Sequence, residues 1–439
     1  MATDISKQEM IAEAEDLLEF INSSPTAYHA TIRVVAKLLD AGFEELRMHA
    51  PWDLELGKGY FVCYNDSTVV AFVLNRSILA EGFRIVASHT DFPTLRVKPC
   101  GQTSGAGSTI KLRTETYGGA LLYTWFDRPL GLAGRVMMRS SSPLHPETIL
   151  FRSKYYEPVG VIPSVAIHFN RSVNDNFAVN KQVDMQLLVG SGDSLRQSDC
   201  IKELIARERD IDPADILDYD LYAYDANPGR IAGYNNSLIV APRQDNLTMG
   251  YESLRAFLSA EGETSRMFVA FDNEEVGSST KQGADSQLLA DILYRIAGNF
   301  GCGVQDSQRI IYNSFLVSAD MAHAVHPNHP EYHDPSLAPC LNGGPVIKYN
   351  AAQKYMTDAD GAAVFREVCD LAGVPCQSFA NRSDLAGGST LGNILTRHLP
   401  LRGVDVGNPL LAMHSVAETG GVADGLYMFR ALREFYSIE

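Results

Sequence analysis

Residues Arg266–Thr280 read RMFVAFDNEEVGSST. An apolar run, Met267 to Phe271, has the composition of a buried strand and stops abruptly in four polar residues. The run ends on two adjacent glutamates, Glu274 and Glu275, whose charges repel. Other apolar runs end in the same way. FRIVAS (83–88) leads to His89 and Asp91, SLIVAPRQ (237–244) to Asp245, and FLVSA (315–319) to Asp320. In LLAMHSVAE (410–418), His414 follows a further apolar run. In an open α/β sheet, ligands bind in the crevice beyond the carboxyl ends of the strands. Taken singly, a histidine or aspartate at a strand end is more often a cap or turn former, and a Glu-Glu pair is more often a solvated helix start. The recurrence at several strand ends is a stronger signal than any one member.

Carboxylates gathered in one crevice need a cation. Two histidines with several carboxylates and no thiolate form an N/O donor set suited to zinc, cobalt or manganese. Two divalent ions against the carboxylates of Asp245, Glu275 and Asp320 leave one positive charge, which a hydroxide would neutralise. Such a pair lowers the pKa of a water and polarises a carbonyl. The doublet then makes chemical sense: one glutamate binds metal and its neighbour stays free to move a proton.

Composition narrows the class. The chain has 439 residues, 45% of them hydrophobic, enough for a large core or two domains. The formal net charge of −16, with a pI near 5.1, has the wrong sign for a nucleic-acid or anionic-membrane partner. No apolar stretch is long enough to span a bilayer, and the acidic, amphipathic start lacks the pattern of a secretory signal. The seven cysteines are scattered with no CxxC pair, as expected of reduced thiols in a cytoplasm.

The chain changes texture twice. Helices are expected over Met10–Ile21 and Ala27–Leu39, broken at Ser23–Pro25. A hairpin is expected over Gly59–Asn75, turning at Asn65-Asp66. Leu95 to Val189 is rich in short β-like runs, such as Gly118–Arg139, and Asp193–Leu221 reads as polar and helical. From about Asn236 the pattern is α/β, with strands at Ser237–Ala241, Met267–Phe271, Phe315–Ser318 and Pro345–Lys348, and a last helix over Val422–Tyr436. The reading is an α/β domain (1–94 and 236–439) with a β-rich domain (95–235) inserted.

The ordered set SHTDFPTLRVKP, PRQDNLT, FDNEEVGS, SADMAHAVHPN and MHSVAE resembles the M18 family of metallo-aminopeptidases, the aspartyl aminopeptidases. SSPTAYHA, IPSVAIHFNR, IKYNAAQKY and GGST extend the resemblance over nearly the whole chain. It implies a phosphorylase/hydrolase-like α/β catalytic domain with two zinc ions, Co2+ or Mn2+ being alternatives. His89 and His414 would be ligands, Asp245 would bridge the ions, and Glu275 and Asp320 would complete the set. Asp91 would orient His89, and Glu274 would be the general base.

By the same resemblance the inserted domain mediates oligomerisation, and His168 in AIHFN would reach a neighbouring subunit's active site to stabilise the reacting carbonyl. Phe169 departs from the family's usual aliphatic residue. The residues alone read His168 as a strand histidine packed within the β domain. Lys348 and Tyr355, seven positions apart, match the pair that selects an acidic substrate side chain. His323 matches a substrate contact, and the Gly387–Thr390 turn, with Gly388 and Ser389, would lie beside the substrate. His326 is given no role. The expectation is a cytoplasmic dizinc aminopeptidase, assembled as a tetrahedral dodecamer, that removes N-terminal Asp or Glu from peptides. Relatives that prefer neutral residues such as leucine keep that alternative open. A metal-dependent deacylase of small amides and an inactive assembly or cargo protein are the rivals.

Overall fold

Runs such as VVAFV, RIVASH and RMFVAF are buried on both faces, and this dictates where they lie. The structure, a computed structural model, describes residues 6–75, 78–154, 157–192 and 199–438. Among these the chain divides into two compact units. The first runs to Asp91, resumes at Gly229–Met413, and takes in Glu418 to the C-terminal helix. The second comprises Phe92–Pro228 with His414–Ala417.

In the first unit the larger sheet has nine strands among the described residues. Their spatial order is Glu44–Glu45, Gly59–Tyr64, Thr68–Val73, Arg266–Phe271, Arg84–His89, Phe315–Ala319, Arg402–Gly407, Val346–Tyr349 and Gln377–Ala380. The middle four, Arg266–Phe271 through Arg402–Gly407, are mutually parallel. Phe271 pairs with His89 and Ser318 with Ala87. That register brings His89, the Glu274-Glu275 doublet and Asp320 to the same edge of the sheet. Phe72, Ile85, Met267, Val269, Phe271, Leu289 and Ile292 form a continuous buried cluster with their neighbours.

Local signals explain the flanking elements. Ser6 caps the helix Lys7–Ser23 and Thr26 the helix Ala27–Asp40, each accepting a backbone N–H with its hydroxyl. The hairpin turns at Asn65 and Asp66, both with positive φ, as a type I′ turn requires. The helix Gln244–Ser259 packs on the helix Val422–Ser437. A smaller sheet joins Arg230–Ala232, Leu238–Ala241, Glu418–Gly421, Pro409–Leu411 and Ala322–His323.

The second unit is built on an antiparallel sheet ordered Glu147–Arg152, Leu130–Met138, Ile216–Asp225, Thr94–Ser104, Thr109–Tyr117 and Leu187–Ser191. Leu95, Leu132, Val136, Phe151, Ile205 and Leu221 are buried in its core. Its ends differ from the expected 95–235. Thr94 already pairs with Tyr117 in this sheet, whereas Arg230–Ala232 pairs with Leu238–Val240 in the first unit. The polar stretch from Asp193 also departs from a single helix. Residues 193–198 lie outside the described residues, a helix covers Cys200–Arg209, and Ile216–Asp225 is a strand. ILDYDLYAYD alternates with period two, and Leu221 and Ala223 face the core while Asp220 pairs with Arg96 and Arg135 on neighbouring strands. The segment around His168 carries no strand, and His168 is exposed. Its neighbours Val165, Ile167 and Phe169 are exposed too, Phe169 by 87%.

Candidate metal centre and active site

His89 is the last residue of the strand Arg84–His89, and its ring is fully enclosed. Nδ1 lies 3.0 Å from the Asp91 carbonyl oxygen and 3.3 Å from its Oδ1. Nε2 faces three carboxylates: Asp245 Oδ1 at 3.5 Å, Asp320 Oδ1 at 3.6 Å and Glu274 Oε2 at 3.9 Å. A proton on Nδ1, donated to Asp91, leaves the Nε2 lone pair aimed at the carboxylates, the tautomer a metal-binding imidazole needs.

Each carboxylate is held by its own backbone device. After Phe271 the chain enters a 3-10 turn, Glu274–Val276, flanked by Asn273 and Gly277 with positive φ. Asp91 accepts the N–H of Glu274 on one oxygen and that of Glu275 on the other, both at 3.1 Å. One residue thus orients the histidine and pins the turn that carries both glutamates. Asp245 stands at the start of the helix Gln244–Ser259, where it and Asn246 keep non-helical angles and the helix dipole favours a negative charge. Its N–H is donated to Glu418 Oε2 at 3.0 Å, and the Asn246 side chain donates to the Ala319 carbonyl at 2.9 Å. Asp320 follows the strand Phe315–Ala319. Beside it Gly407 has no room for a side chain, since a Cβ there would overlap the Asp320 carbonyl.

Lys348 is buried and donates to the carbonyl oxygens of Asp320 (2.9 Å) and Met321 (3.2 Å). Its ammonium is 3.5 Å from Asp320 Oδ2 and sits over the Tyr355 ring, 5.2 Å from the centroid. Asp405, on the adjacent strand, accepts from Thr390 Oγ1 and Met356 N, both at 2.6 Å. His323 lies in the short strand Ala322–His323, edge-on to Phe379 at 5.8 Å. It lines a cavity of about 340 Å³ with Tyr332, His333, Phe379 and Asn381. Gly388 and Ser389 form an exposed loop before the helix Leu391–Leu395. His414 begins the four-residue segment assigned to the second unit, and its Nδ1 is 3.2 Å from the Gly119 carbonyl oxygen. His168 belongs to that second unit as well.

The electrostatics are those of a site built for cations. Burial opposes protonation of His89, yet Asp245, Asp320 and Asp91 raise its pKa well above the usual imidazole range. Burial pushes the Glu274 carboxyl up to about 8, with His89 opposing and Asp320 and Asp91 adding to the rise. Burial and then Asp245 push Glu275 well above the carboxylate range. The cluster draws in protons because it holds more negative charge than a buried site tolerates. The donors fit divalent metal. His89, Asp245 and Asp320 offer ligand atoms within 4.8 Å of one another, as do His89, Glu274 and Glu275. The four positive charges of two such ions, with Lys348, would balance the five carboxylates of Asp91, Asp245, Glu274, Glu275 and Asp320.

The sequence pattern gives no role to Glu418 or Asn246. Glu418 closes the MHSVAE motif, which is the one signal that pointed to it.

The chain is similar to known proteins over nearly its whole length. The family model for aminopeptidase I zinc metalloprotease (M18) matches residues 20–436. The probable M18 family aminopeptidase 2 of Clostridium acetobutylicum is 46% identical over 428 residues, covering 97% of this chain and 98% of its own. The cryo-EM structure of the Ape4 and Nbr1 complex superposes with a TM-score of 0.91 at 34% identity, covering 99% of this chain and 87% of that one. The S. cerevisiae mApe1 dodecamer shares the fold, with a TM-score of 0.82 at 24% identity over 96% of this chain and 97% of its own.

Proposed function

Since the chain belongs to the M18 family of zinc metalloproteases and is a metallo-aminopeptidase, we propose that it removes N-terminal Asp or Glu residues from peptides at a dinuclear centre. The observation that carries this reading is the enclosed His89 ring, with Nδ1 committed to Asp91 and Nε2 turned to three carboxylates. His89, Asp245, Glu275 and Asp320 would hold the metals, with His414 as the remaining ligand by its place in MHSVAE. When bound, the ions supply Lewis acidity and water activation at neutral pH. Glu274 takes a proton from the attacking water and returns it to the departing amine. Asp91 holds Glu274 in place for that transfer through its hydrogen bond to the backbone.

For selectivity we look to Lys348 and Tyr355. An acidic side chain approaching a protein of net charge −16 needs a local cation, and Lys348 is a buried one. His323, Gly388 and Ser389 are the further substrate contacts in this reading. A preference for neutral residues is favoured by one observation: two of the three Lys348 N–H groups are already spent on the carbonyls of Asp320 and Met321.

The chain would act as a homo-oligomer, a tetrahedral dodecamer, with His168 of one subunit completing the oxyanion site of the next. The exposed apolar run Val165, Ile167 and Phe169 around His168 supports a contact between copies. Among the described residues no helix is long and apolar enough to cross a membrane, and we place the enzyme in the cytoplasm.

The deciding experiment is hydrolysis of Asp-, Glu- and Leu-anilides by wild type and Glu274→Gln, with metal measured on the same samples. The variant is expected to keep about two metals per chain and to lose activity by several decades. Full activity in Glu274→Gln would sink the assignment of the base. Hydrolysis that persists when the substrate amine is blocked would make the protein a deacylase. A wild type that takes up no metal would make it a scaffold.

A further inference from the structure

Thr390 stands where a helix cap belongs. It precedes the helix Leu391–Leu395 in extended backbone, with φ −132° and ψ 179°, yet its hydroxyl makes no capping bond to that helix. A threonine in this place ordinarily accepts a backbone N–H of the first turn. Here the side chain is buried and the hydroxyl is donated to Asp405 Oδ1 at 2.6 Å. The forgone cap points to a use for Asp405 outside the helix.

Asp405 lies in the strand Arg402–Gly407 and is fully buried. Both carboxylate oxygens are committed to other segments, Oδ1 to the Thr390 hydroxyl and Oδ2 to the Met356 N–H, also at 2.6 Å. Its own N–H is donated to Thr357 Oγ1 at 2.9 Å. Met356 follows Tyr355 directly, and Thr390 follows Gly388 and Ser389. One enclosed side chain thus joins two stretches more than thirty residues apart in the chain. Gly392 makes the approach possible, because a Cβ there would stand 2.8 Å from Asp405 Oδ2 and 2.9 Å from the Met356 side chain. On one side the strand pairs Asp405 with Ser318, and on the other it pairs Val406 with Ile347, which brings Asp405 next to Lys348. Burial pushes the Asp405 carboxyl above its ordinary range, and Lys348, whose ammonium sits over the Tyr355 ring, opposes the rise most. A buried carboxylate bonded on both oxygens and faced by a cation is held in a single place.

We infer that Asp405 is a positioning residue for substrate selection, fixing Tyr355 and the Gly388-Ser389 turn in place around Lys348. The inference rests on the reading of Lys348, Tyr355, Gly388 and Ser389 as the pocket for the N-terminal side chain. Asp405 itself is enclosed and acts through these residues. A wall that substrate and transition state meet alike contributes to the binding of both, so loosening it raises KM and leaves kcat. The groups assigned to the chemical step hang on other bonds: Glu274 and Glu275 on Asp91, and Asp245 on Glu418.

The test is steady-state hydrolysis of Asp- and Leu-anilides by the metal-loaded, full-length protein, with metal content measured on each sample. Wild type is compared with Thr390→Val, Thr390→Ser and Lys348→Met. Thr390→Val keeps the shape of the side chain and removes the hydroxyl donated to Asp405. Expected is a KM for the Asp-anilide raised about 10-fold, with kcat and metal content within about twofold of wild type. Thr390→Ser keeps the hydroxyl and is expected to restore KM. Thr357→Val, which removes the acceptor of the Asp405 N–H, is expected to act in the same direction and replaces Thr390→Val if that variant does not fold. Wild-type kinetics in Thr390→Val, alongside a changed Asp-to-Leu ratio in Lys348→Met, would overturn the role of Asp405 and leave the pocket standing. An unchanged ratio in both variants would remove the pocket and the inference together. A loss of kcat or of metal with KM unchanged would also overturn it, since Asp405 would then support the metal-bearing strand beside it.

Discussion

Lys348 has two claims on it. Its ammonium anchors the end of the strand that carries Asp320, and it is a buried cation 3.5 Å from the Asp320 carboxylate. If both claims hold, Lys348→Met abolishes any preference for Asp over Leu and also lowers kcat for the Leu substrate, roughly 10-fold or more, because Asp320 loses its tether. Steady-state kinetics on both substrates separate the roles; a variant with unchanged Leu kinetics would show that the tether is dispensable. Glu252 poses a different problem. Its carboxyl is buried, Oε1 has no hydrogen-bond partner, and Oε2 is 3.2 Å from Arg255. Burial pushes it up to about 8, with Arg255 opposing. In the unfolded chain the group ionises above its ordinary value of 4.5, while the folded chain holds the proton up to about 8. The stabilisation is therefore complete below the lower value and is lost as pH rises through that window. At about 1.4 kcal/mol per pKa unit the change is on the order of a few kcal/mol, as an upper figure. Glu252→Gln should lack this slope. Thermal unfolding of both proteins between about pH 5 and pH 9 reads it directly, and parallel curves would refute it.

Strand ends, rather than strands, made the candidate site readable. Uninterrupted apolar runs that stop on His89, Glu274 and Asp320 belong to adjacent parallel strands, so a linear pattern maps onto one edge in space. The Asn65-Asp66 turn was legible for a local reason, the positive φ both residues adopt. What the sequence hides depends on distant pairing. Ile216–Asp225 reads as polar until Arg96 and Arg135 are placed beside Asp220. The second unit's true edges emerge only from which sheet Thr94 and Arg230 join. Glu418 supports Asp245 from 173 positions away, beyond any local pattern. Removing that support should loosen the start of the helix Gln244–Ser259. Glu418→Ala leaves the buried Asp245 N–H unsatisfied, at a cost of about 1–3 kcal/mol, and is expected to weaken metal retention about 10- to 100-fold. Glu418→Gln keeps an acceptor oxygen and should retain most of it. Metal content after dialysis against a graded chelator distinguishes the two, and equal retention in both variants would rule out the anchoring role.

Assembly is where one chain's chemistry meets another's. The segment around His168 exposes Val165, Ile167, Phe169, Phe177 and Val183 with no strand to organise them, an arrangement that costs solubility unless another surface covers it. A second copy is the occupant proposed above. Val165→Asp combined with Phe169→Asp should lower the particle mass by light scattering while circular dichroism stays unchanged. The sharper question is whether His168 serves its own chain or a neighbour's. Glu274→Gln and His168→Ala should each be nearly inactive alone, the latter by about 100- to 1,000-fold, as for loss of an oxyanion donor, and with its metals retained. When the two variants are dissociated, mixed in equal amounts and reassembled, each His168→Ala chain brings an intact Glu274 and can receive an intact His168 from a Glu274→Gln neighbour. About a quarter of the sites should then be complete, and activity should reappear on mixing. If His168 works within its own chain, no pairing of these variants creates a complete site, and the mixture stays as inactive as its parts.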